Sequence, residues 1–248
     1  MAKLTTVFWD VDGTLADTEF NGHRVAFNKA FSQFKLGWTW GDNLYADLLH
    51  IQGGKKRIAW YAKSIGEVIS PELISQIQLA KQVNYRQIVL SGEIKLRIGV
   101  KRLINDLKAR RVNQWVVTSS NNLSVKALID FNFNPNDIPF QGFITSDDVM
   151  RSKPHPEPYL KAIEGSGTRK ENTIVIEDSI AGMISAGSAD LATLITLPSQ
   201  NTNAIKAYNS ATAVVDHLGD PLKCCRVLSG PPSSKGRITV DYLQHLIS

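Results

Sequence analysis

Cysteine is nearly missing from this chain: its 248 residues hold two, adjacent at Cys224 and Cys225. Neighbouring cysteines make a poor disulfide pair and too few ligands for a metal site, so a reducing compartment is expected. No apolar run approaches the roughly 20 residues that a membrane helix needs. No signal-peptide core precedes the first strand-like segment. No membrane is therefore expected as a partner; the expected location is the cytoplasm, or a plastid stroma if a transit peptide was removed. Basic runs interleaved with aromatics are missing too. The net charge of +5 is scattered along the chain, which speaks against nucleic acid and suits a pocket for an anionic small molecule. Internal repeats and low-complexity tracts are absent. With 43% hydrophobic and 21% charged residues, the composition is that of an ordinary globular protein. The length suits one large domain, or a core with a smaller insert, and a monomer is expected.

What is present, at the very start, is a pair of carboxylates. The apolar run 4–9 ends at Asp10-Val11-Asp12-Gly13-Thr14. Residues two apart on a strand point the same way, so Asp10 and Asp12 could face one spot beyond the strand end. Two such anions repel by roughly 4 kcal/mol at 4 Å and an effective dielectric near 20. A chain that builds the pair usually needs it for a cation, a proton or a nucleophile. Taken alone, the stretch also reads as a solvated turn, since Asp and Gly are common turn formers.

Residues 17–91 then read as uninterrupted helix and loop. Phe20, His23, Arg24, Phe27, Ala30, Phe31 and Phe34 recur at helical spacing, and Ser70-Pro71-Glu72 reads as an N-cap with proline in the first turn of a long helix to about residue 89. From residue 95 the pattern alternates. Helices are expected at 100–109, 122–130, 156–164 and 179–186, and strands at 114–118, 143–145, 173–176, 191–197 and, last, 213–215. Leu197-Pro198-Ser199-Gln200 reads as a loop. Strands alternating with helices imply parallel βαβ units. The expected fold is therefore α/β: a doubly wound, Rossmann-like parallel sheet from residues 1–16 and 92–248, carrying an all-helical cap inserted at 17–91.

Ligands of an open parallel sheet bind beyond the C-terminal strand ends, and polar motifs collect there. Thr118-Ser119-Ser120-Asn121 offers a hydroxyl and backbone N–H groups at a helix start, a phosphate cradle or equally an N-cap. Lys153 sits in Ser152-Lys153-Pro154-His155-Pro156, a rigid extended turn. Glu177-Asp178-Ser179 ends a strand with two carboxylates, which suit the oxygen preference of Mg²⁺ or the dipole of a helix N-terminus.

Together, in this order, the four motifs resemble those of the haloacid dehalogenase superfamily. The resemblance implies that Asp10 attacks phosphorus and Asp12 is the general acid/base. It further implies that Thr118 and Ser119 hold the phosphoryl group and Lys153 offsets its charge. Mg²⁺ would be held by Asp10, the carbonyl of Asp12, Asp178, and Glu177 through water. The inserted cap is similar to that of β-phosphoglucomutase-like members. Glu19, His23 and Gly53-Gly54-Lys55-Lys56-Arg57 look closest to CbbY-type sugar phosphatases, although Ile98 stands where that group usually has proline. That likeness implies a Mg²⁺-dependent phosphatase with an aspartyl-phosphate intermediate. It implies as substrate xylulose-1,5-bisphosphate, an inhibitory by-product of carbon fixation. Gly53, Gly54, Lys55 and Arg57 would clamp the distal phosphate, and Glu19 and His23, four apart on one helix face, the sugar hydroxyls. The competing expectations are a phosphomutase and a catalytically inactive member kept for binding.

Overall fold

The computed structural model describes residues 2–51, 53–198 and 205–248; part of the expected loop at Leu197-Pro198-Ser199-Gln200 lies outside them. The chain opens with β1 (Thr6–Trp9). It then runs through α1 (Val25–Gln33), α2 (Asp42–Leu48), α3 (Gly54–Ser64) and α4 (Pro71–Leu90). Next come α5 (Val100–Ala109), β2 (Asn113–Val117), α6 (Asn122–Asn132), β3 (Gly142–Ile144), α7 (Glu157–Ser166) and β4 (Thr173–Glu177). The last third holds α8 (Ile180–Ser188), β5 (Ala192–Thr196), β6 (Ala213–Val215), β7 (Val227–Ser229) and α9 (Val240–Leu246).

Among the described residues the strands form one sheet in the order β3-β2-β1-β4-β5-β6-β7. β1 is central because all four of its residues are apolar or β-branched and buried on both faces, as a covered parallel strand demands. Val7 and Trp9 pack with α5, α6 and α9 on one face, while Phe8 packs with Tyr159 and Ala186 on the other. The strand order reverses direction at β1, so the crevice between β1 and β4 is the topological switch point where ligands bind. Pairing Trp9 with Ile176 and with Val116 brings the residues that follow these strands to one level.

The structure departs from the sequence reading at the C-terminus. β6 is not the last strand: β7 pairs with it antiparallel, with a register shift at Val214/Val215. α9 follows and buries Val240, Tyr242, Leu243 and Leu246 against the core. Both segments are short, three and seven residues, and the sequence reading assigned no element to them.

The helices α1 to α4 stand between β1 and β2 in the chain and have a core of their own. Phe27, Phe31, Trp38, Trp40 and Tyr45 are buried there, with Phe31 and Phe27 ring centroids 4.7 and 4.8 Å from that of Trp40. Such aromatic pairs add about 0.5–1.5 kcal/mol each beyond area burial, so this layer has an apolar cluster of its own beside the sheet's core. The C-terminal half of α4, through Tyr85, Ile88 and Val89, joins the core instead. Ser70 caps α4 by accepting from Leu73 N at 3.1 Å, with Pro71 in the first turn. The two connections to the core run side by side: Ala16 bridges Leu96, and Arg97 N donates to Leu15 O at 2.8 Å.

Candidate active site

Asp10 leaves the end of β1 and is 6% exposed. Lys153, buried at 4%, reaches across from the turn before α7. Its Nζ lies 2.7 Å from Asp10 Oδ1 and 2.5 Å from Glu177 Oε1, and donates to Val117 O at 2.8 Å. Tyr159 beneath it donates to the same Glu177 oxygen at 3.1 Å. The other oxygen of Glu177 accepts from Asp178 N, Ser179 N and Ser179 Oγ at 3.0 to 3.1 Å. Glu177 is thus saturated by donors and holds Lys153 in place. Room for its carboxylate depends on Gly182, where a β-carbon would stand 1.8 Å from Oε1.

One oxygen each of Asp10, Glu177 and Asp178 can be chosen within 4.8 Å of one another. Three carboxylates against one ammonium leave two negative charges, which is what a divalent cation would offset. The proton affinities say the same. Burial, then Glu177 and Asp12, push the Asp10 carboxyl up to about 8 despite Lys153. Burial, then Asp10 and Glu177, hold Asp178 well above its usual range, with Arg97 and Lys153 opposing. Lys153 stays firmly protonated: burial alone would lower it, but Asp10 and Glu177 more than compensate. The donor set, all oxygen and short one cation, fits Mg²⁺. Gly13, at φ +85°, passes so close that a β-carbon there would lie 2.0 Å from Asp178 Oδ2.

Asp12 faces a different environment. Its Oδ1 accepts from His23 Nε2 at 2.9 Å and from Thr18 Oγ1, and its Oδ2 from Ser120 Oγ. Burial would raise its proton affinity, but His23 and these hydroxyls hold it well below the carboxylate range. Lys81 Nζ stands 2.8 Å from His23 Nδ1. An ammonium can only donate, so Nε2 carries the ring proton and donates to Asp12. Burial lowers Lys81 itself to about 8, with Glu19 and Asp12 opposing. The His23 ring stacks on Tyr85 with centroids 4.2 Å apart.

Glu19 and His23 sit on a π-helical turn, Glu19–Arg24; such turns are frequent at functional sites. His23 meets Asp12, whereas Glu19 accepts from Tyr45 Oη at 2.7 Å. Glu19 also lines, with Gly13, Phe20 and Asp178, a cavity of about 90 Å³ between cap and core. Thr118 is buried and its Oγ1 accepts from Ser120 N at 3.0 Å. Ser119 is exposed, so beyond its amide it is Ser120 whose hydroxyl points into the site. Gly53 and Lys55 are exposed, and Lys55 Nζ donates to Ser75 Oγ at 3.1 Å. Arg57 departs from the clamp expected of it. It is buried, donating to Leu48 O, Tyr45 Oη and Ile51 O at 3.0 to 3.2 Å, so its guanidinium ties the cap together. Thr18, Ser120, Lys81 and Arg97 were not singled out from sequence. Lys81 left a signal: it falls among Ile77, Asn84, Tyr85 and Ile88 on the buried side of α4, where an unpaired charge has no reason to be.

A buried carboxylate beside a protonated lysine, a second carboxylate held among hydrogen-bond donors and an acidic cluster able to hold a cation lie together at the switch point of a Rossmann-like sheet, an arrangement suited to a phosphoryl-transfer hydrolase. A model of the haloacid dehalogenase-like hydrolases matches residues 4–190. The chain belongs to this family, as a CbbY-type phosphatase. It is 37% identical over 201 residues to Protein CbbY of Rhodobacter capsulatus, covering 81% of this chain and 88% of that one. It is 31% identical to a CBBY-like protein of Arabidopsis thaliana, covering 89% and 72%. The fold superposes with a TM-score of 0.80, at 29% identity, on a CbbY variant from Rhodobacter sphaeroides in complex with xylulose-(1,5)bisphosphate, covering 88% of this chain and 96% of that one.

Proposed function

We propose that the protein removes one phosphate from a sugar bisphosphate, xylulose-1,5-bisphosphate first among candidates, with Mg²⁺ at the Asp10–Asp178 cluster. The likeness to the CbbY complex with that sugar carries the choice of substrate. Bound Mg²⁺ would neutralise phosphoryl oxygens as charge develops on them. Asp10 attacks phosphorus, the bond to the sugar oxygen breaks, and an aspartyl phosphate forms. Asp12 gives its proton to the leaving oxygen. A phosphate dianion beside Asp12 raises its proton affinity, which opposes the depression produced by His23, Thr18 and Ser120. Water then attacks the aspartyl phosphate; Asp12 takes the proton, phosphate leaves and Asp10 is restored. Lys153 and the Thr118–Ser120 segment stabilise the transferred group. Glu19 meets sugar hydroxyls, and the exposed Gly53-Gly54-Lys55 turn meets the distal phosphate on closure. The protein acts in a reducing compartment, the cytoplasm or a plastid stroma, a reading that the scarcity of cysteine and the two free thiols support. Among the described residues no helix is long and apolar enough to cross a membrane.

The test is phosphate release from pentose and hexose mono- and bisphosphates, with Mg²⁺ and with EDTA. One phosphate released per xylulose-1,5-bisphosphate, lost in EDTA, is the expected result. Isomerised sugar phosphate without free phosphate would mean a mutase, and no turnover of any ester would mean a binding protein.

A further inference from the structure

Arg97 is a heavily engaged buried side chain that the chemistry above does not use. It lies on the chain's return from cap to core, with its side chain 6% exposed. Nη1 donates to Gly13 O and, at 3.1 Å, to Thr196 O; Nη2 donates to Leu197 O and, at 3.2 Å, to Asp216 O. Nε stands 3.6 Å from Asp17 Oδ1, on the outgoing connection. A guanidinium suits this place because its fixed fork of five donors can serve several carbonyls at once, which the ammonium of lysine cannot. Three of its four acceptors belong to the ends of β5 and β6, the rigid rim of the sheet. The fourth, Gly13, belongs to the loop that follows Asp10 and Asp12. That loop is in van der Waals contact with Asp178, since no β-carbon fits between Gly13 and the carboxylate.

We propose that Arg97 is a positioning residue for phosphoryl transfer, clamping the Gly13 carbonyl to the rim of the sheet and so fixing the loop against which Asp178 is set. It acts through Gly13 and touches neither substrate nor cation. The assignment rests on the reading of the Asp10–Asp178 cluster as a cation-assisted phosphoryl-transfer site. A shift of about 1 Å in such a constellation can reduce turnover roughly 100-fold, so a clamp here matters more than an ordinary buried hydrogen bond.

Arg102 is the natural control. It is also a carbonyl clamp, on α5, donating to Leu218 O, Gly219 O and Ile238 O at 2.9 to 3.1 Å, none of which belongs to the Asp10–Asp178 cluster or the loop after it. Wild type, Arg97→Ala, Arg97→Lys and Arg102→Ala are compared for para-nitrophenyl phosphate hydrolysis across a Mg²⁺ titration, and for the rise in Tm that MgCl₂ produces. For Arg97→Ala the expected result is kcat down roughly 100-fold, with KM for the ester within about threefold. Its Mg²⁺ half-saturation should rise about tenfold and the Mg²⁺-induced Tm rise should shrink. Arg97→Lys falls between, and carries the same readouts should Arg97→Ala fail to fold. Arg102→Ala has a lower Tm but wild-type kcat and Mg²⁺ response. Unchanged kcat and Mg²⁺ response at position 97 would overturn the proposal, as would an equal loss in Arg102→Ala. A wild type that hydrolyses no ester would overturn the reading of the site itself, an outcome distinct from either.

Discussion

His23 of the cap and Asp12 of the core meet at 2.9 Å. This contact couples the cap directly to Asp12, the group proposed to transfer the proton: if the cap lifts, Asp12 loses a donor, and its affinity for a proton rises. Lys81, behind the ring, extends the coupling into α4.

Replacing Lys81 by Met should therefore lower kcat about tenfold, near 1.4 kcal/mol of barrier, with little change in folding. In the wild type, Lys81 is lowered to about 8, so its ammonium is present below that pH and lost above it. Turnover should fall on the alkaline side of about pH 8 in the wild type, and a kcat–pH profile of Lys81→Met should lack that limb.

Asp10→Asn should abolish turnover, because an amide oxygen does not form the phosphoenzyme. It should also make the cation-free protein more stable. Asp10 is raised to about 8 by burial and by like charges, so its contribution to stability is complete below the ordinary carboxylate value and lost as pH rises through about 8. In EDTA at pH 8.5 the variant's Tm should exceed that of wild type, and the difference should shrink as pH falls, closing below about pH 4. A lower Tm at the higher pH would mean that Lys153 needs Asp10 more than Asp10 burdens the cluster.

Mg²⁺ bound at this cluster would have to displace protons from the same carboxylates. Its stabilising effect, read as the Tm difference between MgCl₂ and EDTA, should be larger at pH 8 than at pH 6. An effect independent of pH would place the cation elsewhere.

Lys55 and Arg57, two residues apart, should separate cleanly. Arg57→Ala removes a buried fork and takes its donors from Ile51 O and Tyr45 Oη, while Leu48 O keeps Ile51 N, costing about 1–3 kcal/mol in a denaturant melt. Lys55→Ala should leave stability within about 0.5 kcal/mol and raise KM for bisphosphates while sparing monophosphates.

Three of the four motifs were legible because each sits where an apolar strand stops: Asp10 after Trp9, Thr118 after Val117, and Glu177 closing the run that ends at Ile176; Lys153 was legible instead from the prolines that follow it. The pattern that builds a buried parallel strand also marks its end. Residues that act through long-range contacts were harder to read. Ser120 is indistinguishable in sequence from Ser119, and only the turn of the backbone decides which hydroxyl meets Asp12. Arg57 looked like an exposed basic residue beside Lys55 and Lys56, but helical geometry turns it inward to carbonyls that sequence does not place. Arg97 serves four acceptors spread from Gly13 to Asp216, a convergence that exists only once the sheet is assembled.

The way the sheet finishes on either side also bears on how the molecule keeps company. β3 is three residues long, and β7 is three residues, antiparallel and irregular in register against β6. Short, kinked borders present little continuous ladder for another chain to pair with. At high concentration this fold should resist strand-by-strand stacking into larger aggregates, even though its interior strands are as apolar as those that stack most readily.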